Sequence, residues 1–291
     1  MILTFSWNAL DAVGRFCVLL MILSGLLHIP LFWISDASWE SPISFRKPIL
    51  FGLSTGVTLW SLLDAIQRMR PWPIDRILAR STSLILLLEV ALITLQAWRG
   101  RASHFNRLTT WDSVIETLMW WSIVFASFVV FLLTIRAWQR NAWSGDSPAM
   151  RLAIRWGLMF LAISCALGFT ITNLGFMNLT LGRPPEVWPP KGVLKFPHGA
   201  VLHAIQWLVI LAWMCDRFHA RWPLWAIGSA VAANGTWLAF ASMQTIRGRG
   251  RWELDPGSTA ILVVTVALTV GSLFLATYAR SRSSPFKTDD R

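Results

Sequence analysis

Eight separate apolar runs, at roughly 11 to 34, 46 to 66, 77 to 98, 110 to 135, 152 to 173, 196 to 216, 223 to 246 and 257 to 279, constrain this chain more than any other feature. Each is near the ~20 residues that cross a hydrocarbon core ~30 Å thick. In lipid every backbone polar group must be bonded within its own segment, and helices of this length satisfy that without a sheet. With 55% apolar residues and only 14% charged, the chain cannot hide this surface in one soluble core. The expected fold is therefore all-α, a polytopic membrane protein of eight spanning helices in contact with the bilayer. The first run has no basic residue before Arg15 and no small-residue cleavage site, so it is expected to be a retained helix rather than a signal peptide. Cys17, Cys165 and Cys215 all fall inside runs, without paired spacing, and read as small buried residues.

A net charge of +11 would suggest nucleic acid as a partner of a soluble protein, but here the cations sit between hydrophobic spans, where topology accounts for them. The connections after spans two, four and six, together with the tail, hold 14 of the cations, and the opposite side holds 11. That bias places both termini in the cytoplasm. The eleven on the disfavoured side need another reason.

Part of the reason is repetition. A shift of 148 places Gln96, Arg99, Gly100 and Arg101 on Gln244, Arg247, Gly248 and Arg249, and also Pro42 on Pro190 and Lys47 on Lys195. A duplicated four-helix unit, residues 1–145 and 146–291, would produce this register. Two copies of an even number of spans share one orientation and are related by a pseudo-twofold axis along the membrane normal. Gly between two arginines at a helix end lets the backbone turn, and guanidinium forks fit carboxylate and phosphate oxygens. Arg99, Arg101, Arg247 and Arg249 are thus expected to clamp one anionic or amphipathic ligand, with lipid head groups as the plainer partner. Lys47, Asn106, Lys195 and Gln206 are further candidates for contact with it.

Four of the five histidines, His28, His104, His198 and His203, lie on the same side of the membrane as those arginines. Counted from their loops, His28 and His203 are both roughly 10 to 12 Å below the surface. Equal depth allows them to be axial ligands of haem b, with the arginines on its propionates, or, with His104 or His198, to hold a transition metal ion. The plainer reading bonds each imidazole to a carbonyl. His198 and His203, five apart, cannot share a face of one continuous helix. Glu89 and Gln96 share a face of span three, and Asp112 and Glu116 share one at the start of span four. An ionisable group in hydrocarbon costs at least ~2.5 kcal/mol, so Glu89 is the candidate for proton handling, alongside His104; a helix-to-helix hydrogen bond is its plainer role.

The stretches "SFRKPILFGLS", "QAWRGRASHFN" and "FPHGAVLHAIQ" resemble an uncharacterised family of bacterial multi-spanning membrane proteins. The resemblance implies a bacterial inner-membrane location and no activity. Three functions remain open from the residues: a membrane-embedded enzyme or electron carrier with haem or metal, a transporter of a small or lipid-linked anion, and an assembly partner for other membrane helices.

Overall fold

The computed structural model describes residues 11–35, 38, 39, 41, 43–143, 145–185 and 192–279. Among them are nine helices and no strand beyond two isolated bridges: α1 (Ala12–Ile34), α2 (Arg46–Arg68), α3 (Asp75–Trp98), α4 (Thr110–Trp138), α5 (Pro148–Thr180), α6 (Lys195–Leu202), α7 (Ala204–Arg217), α8 (Pro223–Ile246) and α9 (Pro256–Thr277). Helices α6 and α7 together make one span, giving eight that are long and apolar enough to cross a membrane. Their exposed side chains support the same conclusion. Leu27, Ile77, Phe128, Val263 and Phe274 face outward with nothing covering them, which suits lipid and not water. Exposed tryptophans gather at both rims, Trp33, Trp98, Trp111 and Trp252 at one and Trp138, Trp222 and Trp225 at the other, as an interfacial belt requires.

Local sequence sets the helix ends. Thr109, Ser147 and Asp255 cap α4, α5 and α9 through their side-chain oxygens, and Pro occupies the first turn of α5, α8 and α9, where a missing N–H costs nothing. Helix α1 packs on α2 and α3, and α3 on α4; α5 packs on α6, α7 and α8, and α8 on α9. The two sets meet where α2 touches α7 and α4 touches α5. The α1–α2 contact depends on "GLSTG", Gly52 to Gly56. A Cβ on Gly52 would lie 2.7 Å from both the Gly25 nitrogen and the Met21 carbonyl oxygen, so the two backbones touch, as small-xxx-small faces allow.

One rim is tied by ion pairs. Arg136, 1% exposed, donates to Asp75 at 2.5 Å and lies over Trp72 at 4.3 Å, while Arg68 bridges Asp64 at 2.7 Å and Asp146 at 2.8 Å. The sequence marks these arginines only as topology signals. In the structure they are also clamps joining α2, α3 and α4 to the 139–147 connection. Pro42 and Pro190 lie outside the described residues.

Gly52→Leu should cost roughly 1–3 kcal/mol or more by overpacking, read as a lower unfolding midpoint in detergent. Gly228→Ala, with open space around its Cβ, should leave the midpoint unchanged or raise it.

Candidate functional site

The two Arg-Gly-Arg segments adopt one local structure. Arg99 and Arg247 cap α3 and α8, Gly100 and Gly248 both have φ 62°, and the N–H groups of Arg101 and Arg249 donate to the carbonyls of Gln96 and Gln244 at 2.9 Å each. This is the left-handed helix terminus that favours glycine. The guanidinium groups then depart from the expected clamp. Arg99 donates to Asp112 at 2.9 Å and to Gln96 Oε1 at 2.5 Å, whereas Arg247 (at 2.9 Å) and Arg249 both donate to Asp255. Each motif ties the end of one helix to the start of the next. Hydrogen bonds from the Ser258 backbone and then Arg249 hold the Asp255 carboxyl well below the usual carboxylate range. Arg101 is exposed, and no side-chain partner for it is present among the described residues.

His28 also departs from expectation. Its Nδ1 donates to the Ser24 carbonyl at 2.7 Å, its Nε2 accepts from Trp98 Nε1 at 3.0 Å, and Phe45 packs 5.6 Å from its ring. Both ring nitrogens of His28 thus have hydrogen-bond partners within the protein. His203 is engaged elsewhere, its Nε2 on Ser54 Oγ at 3.0 Å. Among the described residues no group of three or more His, Cys, Asp or Glu is placed to hold a metal ion.

What the structure does bring together is Lys47, Lys195 and His104, around a serine that sequence reasoning passed over. Between α3 and α4 the chain is held by Asn106, whose side chain donates to the Ala102 carbonyl and accepts from the Leu108 N–H at 3.1 and 3.3 Å. Phe105 takes φ 58° and fills a notch on α5 that a side chain at Gly175 would close. Arg107 binds Glu116 at 2.6 Å and covers Phe176. So braced, the loop turns Ser103 and His104 inward. Lys47 Nζ donates to Ser103 Oγ at 2.8 Å, and Ser103 Oγ lies 2.9 Å from His104 Nδ1. Ser103 Oγ accepts from the Lys47 ammonium and can give its own proton to Nδ1, the arrangement that leaves His104 with its proton on Nε2 as a donor. Burial, then the charges of Lys47 and Lys195, pushes the His104 imidazole down to about 3, which keeps it neutral. Lys195 is also near enough to Lys47 for their charges to repel.

Below this head, α2 and the sixth span stay polar for about half the membrane. Positions 47, 51, 54 and 58 lie on one face of α2. Phe51 packs on His104, Ser54 meets His203, and Thr58 Oγ1 accepts from Gln206 Nε2 at 3.4 Å. Lys47 to Thr58 spans ~16 Å at 1.5 Å per residue. Beyond Thr58 the interface becomes apolar, with Leu62, Ala65, Leu208 and Ala212 all buried in one cluster. His203 is where α6 stops and α7 begins, at φ −103° and ψ 14°. That break removes the premise of a continuous helix behind the expected separation of His198 and His203. His198 Nδ1 donates to the Ser164 carbonyl at 2.8 Å. Glu89 lies apart in the α2–α4 packing, 5% exposed, with Oε2 lacking a hydrogen-bond partner. Of the missed residues, Ser54 and Thr58 carried a readable signal, their helical spacing from Lys47; Ser103 carried none.

Because folding depresses the His104 pKa from 6.5 to about 3, the unfolded chain binds the extra proton between those values. Stability should therefore fall as pH drops below 6.5. His104→Gln should flatten that slope in thermal unfolding followed across the same window.

Compared with protein-family models, with curated proteins and with solved structures, the chain matches none.

Proposed function

We propose that the chain is a carrier for a small oxyanion, a carboxylate or phosphate, bound between two related four-helix units. The observation that carries this reading is the polarity of the lining at the head of the α2/α6 interface. Lys47 and the His104 imidazole meet at Ser103, with the Lys195 charge acting on both, and a site rich in donors takes a ligand made of acceptors. Lys47 gives its one hydrogen bond there to a neutral hydroxyl and not to a carboxylate. Of the arginines first expected to grip the ligand, Arg99, Arg247 and Arg249 are paired with Asp112 and Asp255.

The duplication supports a carrier over an enzyme. Thr58 and Gln206 touch, and they are 148 positions apart, which is the offset relating the two arginine motifs and the two lysines. A residue that meets its own counterpart lies on the symmetry axis. The axis would then run down the polar interface, from Lys47 and Lys195 to Thr58 and Gln206. A span broken within the hydrocarbon region, as the sixth is at His203, is a usual element of carrier sites. The apolar floor below Thr58 makes this arrangement open toward one rim, one of the two states that alternating access requires. In this reading both termini face the cytoplasm of a bacterial inner membrane, the four-helix units are 1–145 and 146–291, and Asn106 shapes the loop without touching the anion.

The test is binding and flux. Reconstituted protein should take up radiolabelled phosphate or acetate and exchange it. Lys47→Gln should weaken binding roughly tenfold to a hundredfold, the worth of a charge-assisted hydrogen bond, while Arg101→Gln should leave it unchanged. Protein that neither binds nor moves either anion, or a Lys47→Gln variant equal to wild type, rejects the proposal.

A further inference from the structure

Among the described residues, Glu89 is the one buried carboxyl that the ion pairs described above do not use. The α3–α4 register explains where it lies. Gln96 Nε2 donates to Asp112 at 3.1 Å, and seven residues further into the membrane on each helix stand Glu89 and Met119. On its loop side is a small cluster of Ile93, Ile115 and Met119, against which Phe51 packs. On its other side is the cluster of Leu86, Val90, Leu59 and Ala126. A carboxyl between two apolar clusters, with an unpartnered oxygen, makes nothing of its burial in this conformation. A helix-to-helix hydrogen bond, the plainer role for such a group, is not made.

The surroundings supply no counter-charge. From α1, the titratable groups are Cys17, buried in the lower cluster, Arg15 near the opposite end, and His28, held by Ser24 and Trp98. From α2 they are Arg46 and Lys47 at the loop end, Lys47 on Ser103, and Asp64 with Arg68 at the far end. From α4 they are Asp112 with Arg99, Glu116 with Arg107, and Arg136 with Asp75. On α3 itself Arg76 and Arg80 lie in the first turns, Arg80 on Asp11. Phe51 is the physical link to the anion site, because it packs on His104 on one side and joins the cluster next to Glu89 on the other.

We infer that Glu89 is the proton-binding site of the carrier, taking up one proton as a singly charged oxyanion enters at Lys47 and Lys195 and releasing it when the anion leaves. This rests on the carrier reading. Its physical motive is that moving a bare anion through a low-dielectric core is costly, and a proton carried with it leaves the loaded protein with unchanged net charge. Phe51 transmits occupancy: an anion that shifts His104 also shifts the ring that seals Glu89 from the polar interface.

The experiment uses full-length protein in proteoliposomes with radiolabelled phosphate, comparing wild type, Glu89→Gln and Glu89→Asp, each checked for folding by its unfolding midpoint. An inward-directed acid gradient should stimulate wild-type uptake several-fold. Glu89→Gln should lose that stimulation yet keep phosphate–phosphate exchange, and Glu89→Asp should keep both. Difference infrared spectra on a pH titration should show a carboxyl C=O band that Glu89→Gln lacks and Glu89→Asp retains. If Glu89→Gln keeps gradient stimulation, or if no band is lost, the proton site is overturned while the carrier stands. If wild type neither exchanges nor accumulates phosphate, the carrier reading fails and the proton site with it.

Discussion

A polar group inside a membrane has to find its partner within the protein, and this constraint orders the whole molecule. At one rim Arg136 and Arg68 are matched to Asp75, Asp64 and Asp146. At the other, Arg99, Arg107, Arg247 and Arg249 are matched to Asp112, Glu116 and Asp255. Glycine at 100 and 248 turns the chain so that these pairs form within a single helix–loop–helix step. Once those charges are accounted for, Lys47 on its serine and Glu89 with its bare oxygen stand out, and both lie in the α2–α4 half of the molecule.

The interface between α2 and the sixth span concentrates what remains. Its polar residues stop at Thr58 and Gln206, and the apolar cluster that follows closes the way to the other rim. Gln206 also keeps a buried Oε1 without a partner, so the closed end is not fully satisfied in this conformation. A break at His203 gives the sixth span a place to bend that α2 does not have.

The spans were legible because twenty-residue apolar runs admit one structure in lipid, and their read boundaries fall within a few residues of the helices, apart from longer ends on α4 and α5. The Arg-Gly-Arg repeat was legible as a helix terminus, but not in its partners. Asp112 and Asp255 lie 13 and 8 residues after Arg99 and Arg247, across loops of different length, and spacing does not announce a pair through a loop. The depth of His28 gives no direction for its ring, and Trp98, 70 residues away, hydrogen-bonds its Nε2. The break at His203 left no trace either, since Leu202-His203-Ala204 contains neither Gly nor Pro. Lys47 and Lys195 stand out in sequence as a pair at an offset of 148, whereas the loop that brings His104 to Lys47 depends on Phe105 filling the Gly175 notch, a tertiary fit that no local pattern encodes.

The account stands on an oxyanion resting between Lys47, Lys195 and the Nε2 of His104. Diffraction from crystals grown with selenate measures this most directly, because selenium scatters anomalously and stands in for phosphate-like oxygens. The account predicts an anomalous peak within hydrogen-bond reach of both ammonium groups, absent from crystals of Lys47→Gln. A peak confined to Arg101 and the membrane surface, or none in the interface, would contradict it.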